Sequence, residues 1–470
     1  MNWKTIFKSL KSWDMQKRLL VILLLIVIYR FLAHVPVPLA EPAQMKEVVS
    51  SFLDSTDFGG FLNLLSGGAM SQLSIVLVGL SPFITASIIS QLLTKVIPQI
   101  EELNNDGETG RKKINQWTRM ISVPFAVLQS IAFIYILRQT VVAGNTTVLD
   151  DATMSEWAMA VTAMTAGSIL LMWLGEIMTE QGLGSGISLL IFASIISQLP
   201  TTLATLFASL FDTSAGVLNV FGWFSIPVNP TLFWVTLALS AVAILTLYVL
   251  VKINEAQRII TVNYAKRTHG NSVYSRVKSV LPIKLIAAGV IPVIFAVAFL
   301  SLPAFVGQTL KATGNEAWLG IAQNLIDWFQ APDPGSFTGT SAAAFIYPSI
   351  YFFLVIGFTY FYTDIVFNAN QIAENLQKNG GFIEGVRPGE ATENYLKKVV
   401  NRLNFFGATV LGLIAVMPFA IEYLLYNFAG ISGANLAVGG TGLLIVVTVG
   451  LESLRQINSR ALMVTYDNYK

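Results

Sequence analysis

Long apolar runs alternate along this chain with shorter polar stretches. The runs come close to the roughly 20 residues needed to cross the hydrocarbon of a bilayer as a helix. They fall at about 19–38, 74–95, 118–138, 157–178, 187–210, 232–252, 283–303, 345–367, 402–425 and 439–456. The pattern predicts an all-α polytopic membrane protein with ten transmembrane helices. A further apolar segment, 61–72, is too short to cross alone. The basic, amphipathic N-terminal arm (1–18) leads into an apolar run to Val35 that no small-x-small cleavage site closes, so it reads as a surface segment followed by a retained first span.

The second run has an unusual texture. SGGAMSQLSIVLVGLSPFITASIISQLL, from Ser66 to Leu93, opens on Gly67-Gly68, carries Pro82, and is dotted with Ser81, Thr85, Ser87 and Ser90. A proline among small polar residues in a membrane helix is tolerated where other helices or water satisfy the freed backbone groups. The expectation is a helix broken at Pro82 that lines a pathway, with a kinked packing helix as the plain alternative. A weak echo occurs further on: Gly79-Leu80-Ser81-Pro82-Phe83-Ile84 matches Gly289-Val290-Ile291-Pro292-Val293-Ile294 as G-x-x-P-x-I. The copies occupy equivalent places in two five-span halves, 19–230 and 231–457. An odd number of spans per half inverts one half relative to the other, which puts a pathway at their interface.

Composition supports the membrane reading and removes several chemistries. The chain of 470 residues is 54% hydrophobic and 12% charged, about half the charge of a soluble domain. With no cysteine and two histidines, His34 and His269, it offers neither a disulfide framework nor a thiolate or histidine metal cluster. Of 29 Lys and Arg, all but four (Arg30, Lys46, Arg138 and Lys311) fall in, or within three residues of, the N-terminal arm, the loop with Arg111-Lys112-Lys113, the loops 253–282 and 368–401, and the tail 458–470. By the positive-inside rule these are cytoplasmic, as are both termini.

The two long basic loops are patterned. INEAQRIITVNYAKRTHGNSVYSRVKSVLPIK reads as a protruding hairpin turning at Gly270-Asn271. NANQIAENLQKNGGFIEGVRPGEATENYLKKVVNRL reads as a short helix, a Gly-Gly break, a turn through Arg387-Pro388-Gly389 and a second helix. Loops of this kind suit docking of a soluble partner, and equally suit plain solvation.

The spans themselves are chemically bland. Ionisable groups retained deep in a membrane mark coupled transport, but Glu176, Asp364, Glu422 and Glu452 lie near span ends, where solvation explains them, and Arg30 is expected to snorkel outward. No phosphate loop, nucleophile set or paired carboxylate stands at credible depth, so the chain does not read as an enzyme. Two aliphatic pairs, Leu80/Ile84 and Ile187/Ile191, stack at i,i+4. Such pairs are far more often packing than function, but a ring of them makes a narrow constriction that stops ions and water by dewetting.

Seven motifs then occur in order: GGAMSQLSIVLVGLSPFITASIISQLL, GETGRKKINQWTR, EQGLGSGISLLIFASI, VNYAKR, GVIPVIFA, NQIAENLQKNGGFIEGVRPG and GGTGLLIVV. Together they resemble the SecY family, the central subunits of the bacterial protein-translocation channel, from the first span to about Arg460. The resemblance implies ten helices in two inverted halves around a central pore in the bacterial plasma membrane, without cofactor. It implies a plug over 61–72, including Phe61, Leu62, Leu64, Leu65, Gly67, Gly68 and Met70. A pore ring would comprise Leu80, Ile84, Ile187, Ile191, Ile294 and Ile445, with Leu80 where Ile is usual. A lateral gate would open between spans two and three on one side and seven and eight on the other. Ser87, Gln91, Gln129, Pro292 and Phe299 lie along it, with polar groups bonding across the closed seam and Pro82 and Pro292 marking bends. Tyr264, Lys266, Arg267, Arg387, Pro388 and Gly389 would dock the SecA motor and the ribosome. Implied partners also include SecE-like and SecG-like small membrane subunits, signal peptides, nascent chains and lipid, without sequence-specific recognition of nucleic acid.

The outer loops 139–156 and 304–344, the latter with Trp318 and Trp328, exceed the family pattern and receive no role from it. An accessory paralogue with few substrates would carry more divergent docking loops than the YAKR and VRPG stretches here. A small-solute transporter would need the intramembrane charge that this chain lacks.

Overall fold

The computed structural model describes residues 12–37, 69, 73–143, 153–211, 218–220, 224–226, 230–264, 268–269, 272–273, 278–289, 291–313, 316–332, 342–429 and 436–467. Its helices are α1 (Trp13–Leu32), α2 (Ser81–Val96), α3 (Pro98–Asn105), α4 (Glu108–Ala143), α5 (Met154–Glu180), α6 (Gly186–Leu210), α7 (Pro230–Glu255), α8 (Ile291–Ala312), α9 (Glu316–Phe329), α10 (Ile346–Val366), α11 (Ala369–Lys378), α12 (Glu390–Ala429) and α13 (Leu436–Asp467). The strands are β1 (Leu218–Val220), β2 (Phe224–Ile226), β3 (Gln257–Tyr264), β4 (Thr268–His269), β5 (Ser272–Val273), β6 (Lys278–Lys284) and β7 (Gly381–Ile383). A helix coincides with each of the ten apolar windows. Among the described residues, six helices are long and apolar enough to cross a membrane, and the α2–α3 pair, bent by 105° at Ile97, makes a seventh.

Two windows begin differently from expectation. The stretch 74–80 is a series of turns, and α2 starts only at Ser81. At 16 residues it is about 24 Å long, shorter than the hydrocarbon. The seventh window opens on β6 and a bend, so that α8 starts at Ile291. Pro82 and Pro292 therefore each sit second in a helix, where the missing N–H would have no intrahelical partner anyway. They start helices rather than break them. The interior prolines of the expected gate helices are Pro124 in α4 and Pro303 in α8.

Non-helical backbone at membrane depth survives only where protein covers it, and 73–80 is covered. Val37 N–H donates to Leu73 O (2.8 Å) and Ile75 N–H to Val35 O (3.0 Å). The Ser168 hydroxyl of α5 donates to Gly79 O (2.8 Å) in a buried bond. Leu73 takes φ 45°, unusual outside glycine. A Cβ at Gly167 would stand 2.1 Å from Ile75 O, so only glycine lets α5 lie against this segment.

One large apolar cluster runs through α1, α2, α5, α6, α8, α10, α12 and α13. Lipid is as apolar as leucine, so the hydrophobic effect does not draw these helices together and close packing must. The tight α5–α6 turn shows how: a Cβ at Gly186 would lie 1.8 Å from Gly175 O, and one at Gly175 3.2 Å from Ile187 Cγ1.

The two basic loops form one body. β3 pairs antiparallel with β6, from Gln257↔Lys284 to Asn263↔Lys278, which is the expected hairpin. Its other edge pairs with β7 from the second loop, giving the order β6-β3-β7. β6 is an edge strand, which is why Pro282 is accommodated in it. Beneath the sheet, Ile260, Val262, Ile283, Ala369, Ile383, Leu396, Val399 and Val400 make a separate small core. The three-residue β7 lay within the stretch expected as a Gly-Gly break and turn.

Candidate functional site: an apolar ring and its gate

The six ring candidates come from four helices far apart in sequence. Leu80 caps α2 and Ile84 stands in its first turn; Ile187 and Ile191 occupy the first two turns of α6. Ile294 lies in the first turn of α8, and Ile445 in α13. All six belong to the large apolar cluster; Leu80, Ile84, Ile191 and Ile445 are buried, and Ile187 and Ile294 are half-buried. The backbone that presents two of them is duplicated. Gly79 (φ 63°) and Gly289 (φ 65°) both adopt the left-handed region two residues before the helix starts. Pro then occupies the second helical position and Ile the fourth. The weak sequence echo is thus a shared local structure, and each turn carries one ring candidate into the cluster.

What such a surface can do is limited and physical. It has no group to bind an ion, donate a proton or attack a bond. Aliphatic side chains make a constriction that yields to an apolar or flexible chain and resists water and ions by dewetting.

The expected gate helices also meet. α8 packs against both α2 and α4, and α10 packs on α8. Each side is tied internally. Between α2 and α4, the buried Thr118 hydroxyl donates to Ser90 Oγ (2.9 Å). Between α8 and α10, Phe295 lies edge-on to Phe358 (6.1 Å) and Tyr362 (6.2 Å), and Phe299 edge-on to Phe358 (6.0 Å). Ser87 and Gln91 bond to one another along α2, Gln91 Nε2 donating to Ser87 Oγ at 3.1 Å, rather than across the seam. Gln129 is half-buried on α4, Pro292 is buried and Phe299 is partly exposed.

Of the docking candidates, Tyr264 pairs with Gly381, and a Cβ at Gly381 would press on its ring at 2.9 Å. Tyr264 therefore joins the two loops. Arg387 and Pro388 are exposed on a turn whose Arg387 carbonyl accepts from the Thr392 hydroxyl (2.8 Å), with Gly389 at φ 97°. Lys266, Arg267 and the plug residues Phe61, Leu62, Leu64, Leu65, Gly67, Gly68 and Met70 lie outside the described residues.

Three charged side chains differ from expectation. Arg30 does not simply snorkel: its Nη1 donates to Ser197 Oγ of α6 at 3.0 Å. Glu176 pairs with Arg119, tying α5 to α4. Glu422 is buried in α12 rather than solvated at a span end. The sequence reading also missed Gly167, Ser168, Gly175 and Gly186, which hold the turn before α2 and the start of α6 against α5. Three of them, Gly167, Ser168 and Gly175, interrupt the fourth apolar window, and that interruption was the available signal.

Comparison with known proteins agrees with this architecture. The family model SecY matches residues 74–454. The chain is 38% identical to the protein translocase subunit SecY of Streptomyces scabiei over 98% of both chains, and 37% identical to that of Corynebacterium glutamicum with the same coverage. Among solved structures it is similar in fold to one described as a protein conducting channel (TM-score 0.59, 19% identity, 93% of this chain and 91% of that one). It is also similar to Sec61 in the canine ribosome-channel complex from the endoplasmic reticulum (TM-score 0.57, 18% identity, again 93% and 91%). With a family model covering most of its length and relatives this similar end to end, the chain belongs to the SecY family.

Proposed function

We propose that the chain is the central subunit of a protein-conducting channel. Unfolded secretory polypeptides pass through the ring of Leu80, Ile84, Ile187, Ile191, Ile294 and Ile445, and transmembrane segments leave sideways between α2/α4 and α8/α10. The observation that carries this reading is that six aliphatic side chains, from four helices far apart in sequence, belong to one continuous apolar cluster. A ring of this kind closes around a chain of any sequence because it has no directional bonds to satisfy.

The finer assignments follow from the same reading. Ten crossings form two inverted halves, 19–230 and 231–457, in the plasma membrane with both termini cytoplasmic. The segment 61–72 is the plug on the outer side. The sheet β6-β3-β7 and the Arg387-Pro388-Gly389 turn form the cytoplasmic platform for a SecA-like ATPase and the ribosome, one of which supplies the energy that this chain cannot. Small SecE-like and SecG-like subunits complete the assembly.

The absence of native cysteine makes the test direct. Ile84→Cys introduces a single thiol, and a secretory precursor stalled midway carries one cysteine of its own. A disulfide that forms only with both the motor ATPase and a signal sequence present is the expected result. No disulfide at Ile84→Cys, Ile191→Cys or Ile294→Cys, from a precursor shown to be engaged, would remove the ring assignment.

A further inference from the structure

The outer loop 304–344 contains the amphipathic helix α9, with the sequence EAWLGIAQNLIDWF. Its 14 residues, about 21 Å, are too few to cross a bilayer. On a helical wheel its surface divides into three sectors. One is packed: Ala322 and Ile326 are buried, and a Cβ at Gly307 of α8 would touch Ile326, Leu325 and Ala322 at 3.0–3.1 Å. A second is polar, with Gly320, Gln323, Asn324 and Asp327, and Gln323 donates to Asp327 Oδ1 at 2.9 Å. The third is apolar yet uncovered: Trp318, Ile321 and Trp328 are 48%, 50% and 47% exposed.

That uncovered flank belongs to a helix packed on the membrane-spanning candidates, with other exposed apolar side chains on its neighbours. Phe329, at the end of α9, and Ala331 just beyond it pack against the large cluster shared by the membrane helices. Gln308 of α8 donates to Gln330 Oε1 at 2.8 Å. On α8, a helix long and apolar enough to cross, Val306 and Phe299 are exposed, as is Phe345 in the turn that α9 also touches. Two tryptophans flanking an isoleucine at such a level are the side chains that favour the headgroup boundary, where an apolar ring and a polar N–H are both accommodated. We infer that α9 is an interfacial helix seated in the outer leaflet, with Trp318, Ile321 and Trp328 inserted among lipids at the headgroup–acyl boundary. It fixes the outer end of α8 at that depth. α9 contains no Lys or Arg, so its insertion rests on apolar area and is independent of anionic lipid. The word "outer" alone rests on the orientation proposed above.

The test uses the full chain reconstituted in phosphatidylcholine vesicles, with and without phosphatidylglycerol. Single-cysteine variants Ile321→Cys and Trp328→Cys on the flank, and Gln323→Cys and Asp327→Cys on the polar sector, each carry an NBD fluorophore. The flank positions are expected to emit at shorter wavelength and to lose intensity to doxyl-labelled phosphatidylcholine but not to iodide. The polar positions should show the reverse, and phosphatidylglycerol should change neither. Iodide quenching at 321 and 328 equal to that at 323 would overturn the proposal. So would quenching by neither agent, because the flank would then be covered by protein. A fifth variant, Lys378→Cys on α11, separates the two readings. Should iodide reach 323 and 378 from the same side of the membrane, the orientation fails while the lipid seat of α9 stands.

Discussion

The turns at 79–84 and 289–294 are alike in backbone and unlike in surroundings. Each has a left-handed glycine, then a helix start with proline second and isoleucine fourth. The first copy is clamped. Gly79 O accepts from Ser168, and Gly167 brings α5 onto Ile75 so closely that no side chain fits between them. The second copy follows β6; a Cβ at Gly289 itself would meet nothing within 4 Å, but a Cβ at Gly407 of α12 would lie 2.7 Å from Leu285 O, and Ile286 and Ala288 are buried. Ile84 is buried, whereas Ile294 is half-buried. One local sequence thus gives one local shape, and the neighbours differ in how they hold it. The α2 start is held by close packing and by a side-chain hydrogen bond to the glycine carbonyl, while the α8 start is held by close packing of the segment before it, with Gly407 of α12 against Leu285.

The largest break in this comparison should come from Gly167→Ala. Its methyl would lie 2.1 Å from a carbonyl oxygen that belongs to backbone, so α5 or the turn must move. Overpacking of this kind costs about 1–3 kcal/mol or more. A clear drop in thermal stability in detergent is expected, against no change for Gly357→Ala, where a Cβ meets nothing within 4 Å.

Gly79→Ala and Gly289→Ala sharpen the likeness. Neither position is crowded, so each substitution should cost only the left-handed backbone penalty of about 1–2 kcal/mol. Equal losses in a denaturation series would support the shared turn, and a loss at one position only would dissolve it.

Ser168→Ala addresses the clamp alone. Removing the hydroxyl leaves Gly79 O without that donor, at a cost of about 1 kcal/mol. Combined with Gly79→Ala, its effect should be less than additive, because both act on one turn; combined with Gly289→Ala, the effects should add. Additivity in both pairs would break the contrast.

The smallest effect is expected at Glu176→Gln. Glu176 and Arg119 join α5 to α4, but the arginine is nearly half exposed, and pairs of this exposure contribute about 0–1 kcal/mol. A loss as large as that of Gly167→Ala would show that α5 is held by charge rather than by close packing.

Much of this was legible in the residues. Ten apolar windows, the antiparallel strands of the first basic loop and the short helix after Asn368 all have their counterparts; the expected turn at Gly270-Asn271 lies outside the described residues. Hydropathy cannot tell an apolar helix from apolar turns, so 74–80 was read as helical when it is not. Pro82 and Pro292 were read as bends because a proline inside an apolar run suggests one. Gly79 and Gly289, two residues ahead of each helix, were the signal of a start. β7 escaped because three residues carry no period and its partner strand lies more than a hundred residues earlier. Arg30 was expected to reach water since a local window cannot show Ser197. The proposed ring was visible only as two aliphatic pairs and the echoed Ile294, and its full membership came from the family resemblance.

The pairing of β3 with both β6 and β7 has a mechanical consequence. The hairpin runs about 23 Å along β6, and β7 adds a third strand over three residues at one end of it, which makes it stiffer than a pair of tethers. One end of β6 runs, six residues later, into α8. The short β7 bolts the same hairpin to α11 and α12. A load applied to the sheet would reach α8 through the short segment after β6 instead of being absorbed by a long tether. The last joint on that path before the helix is the left-handed Gly289.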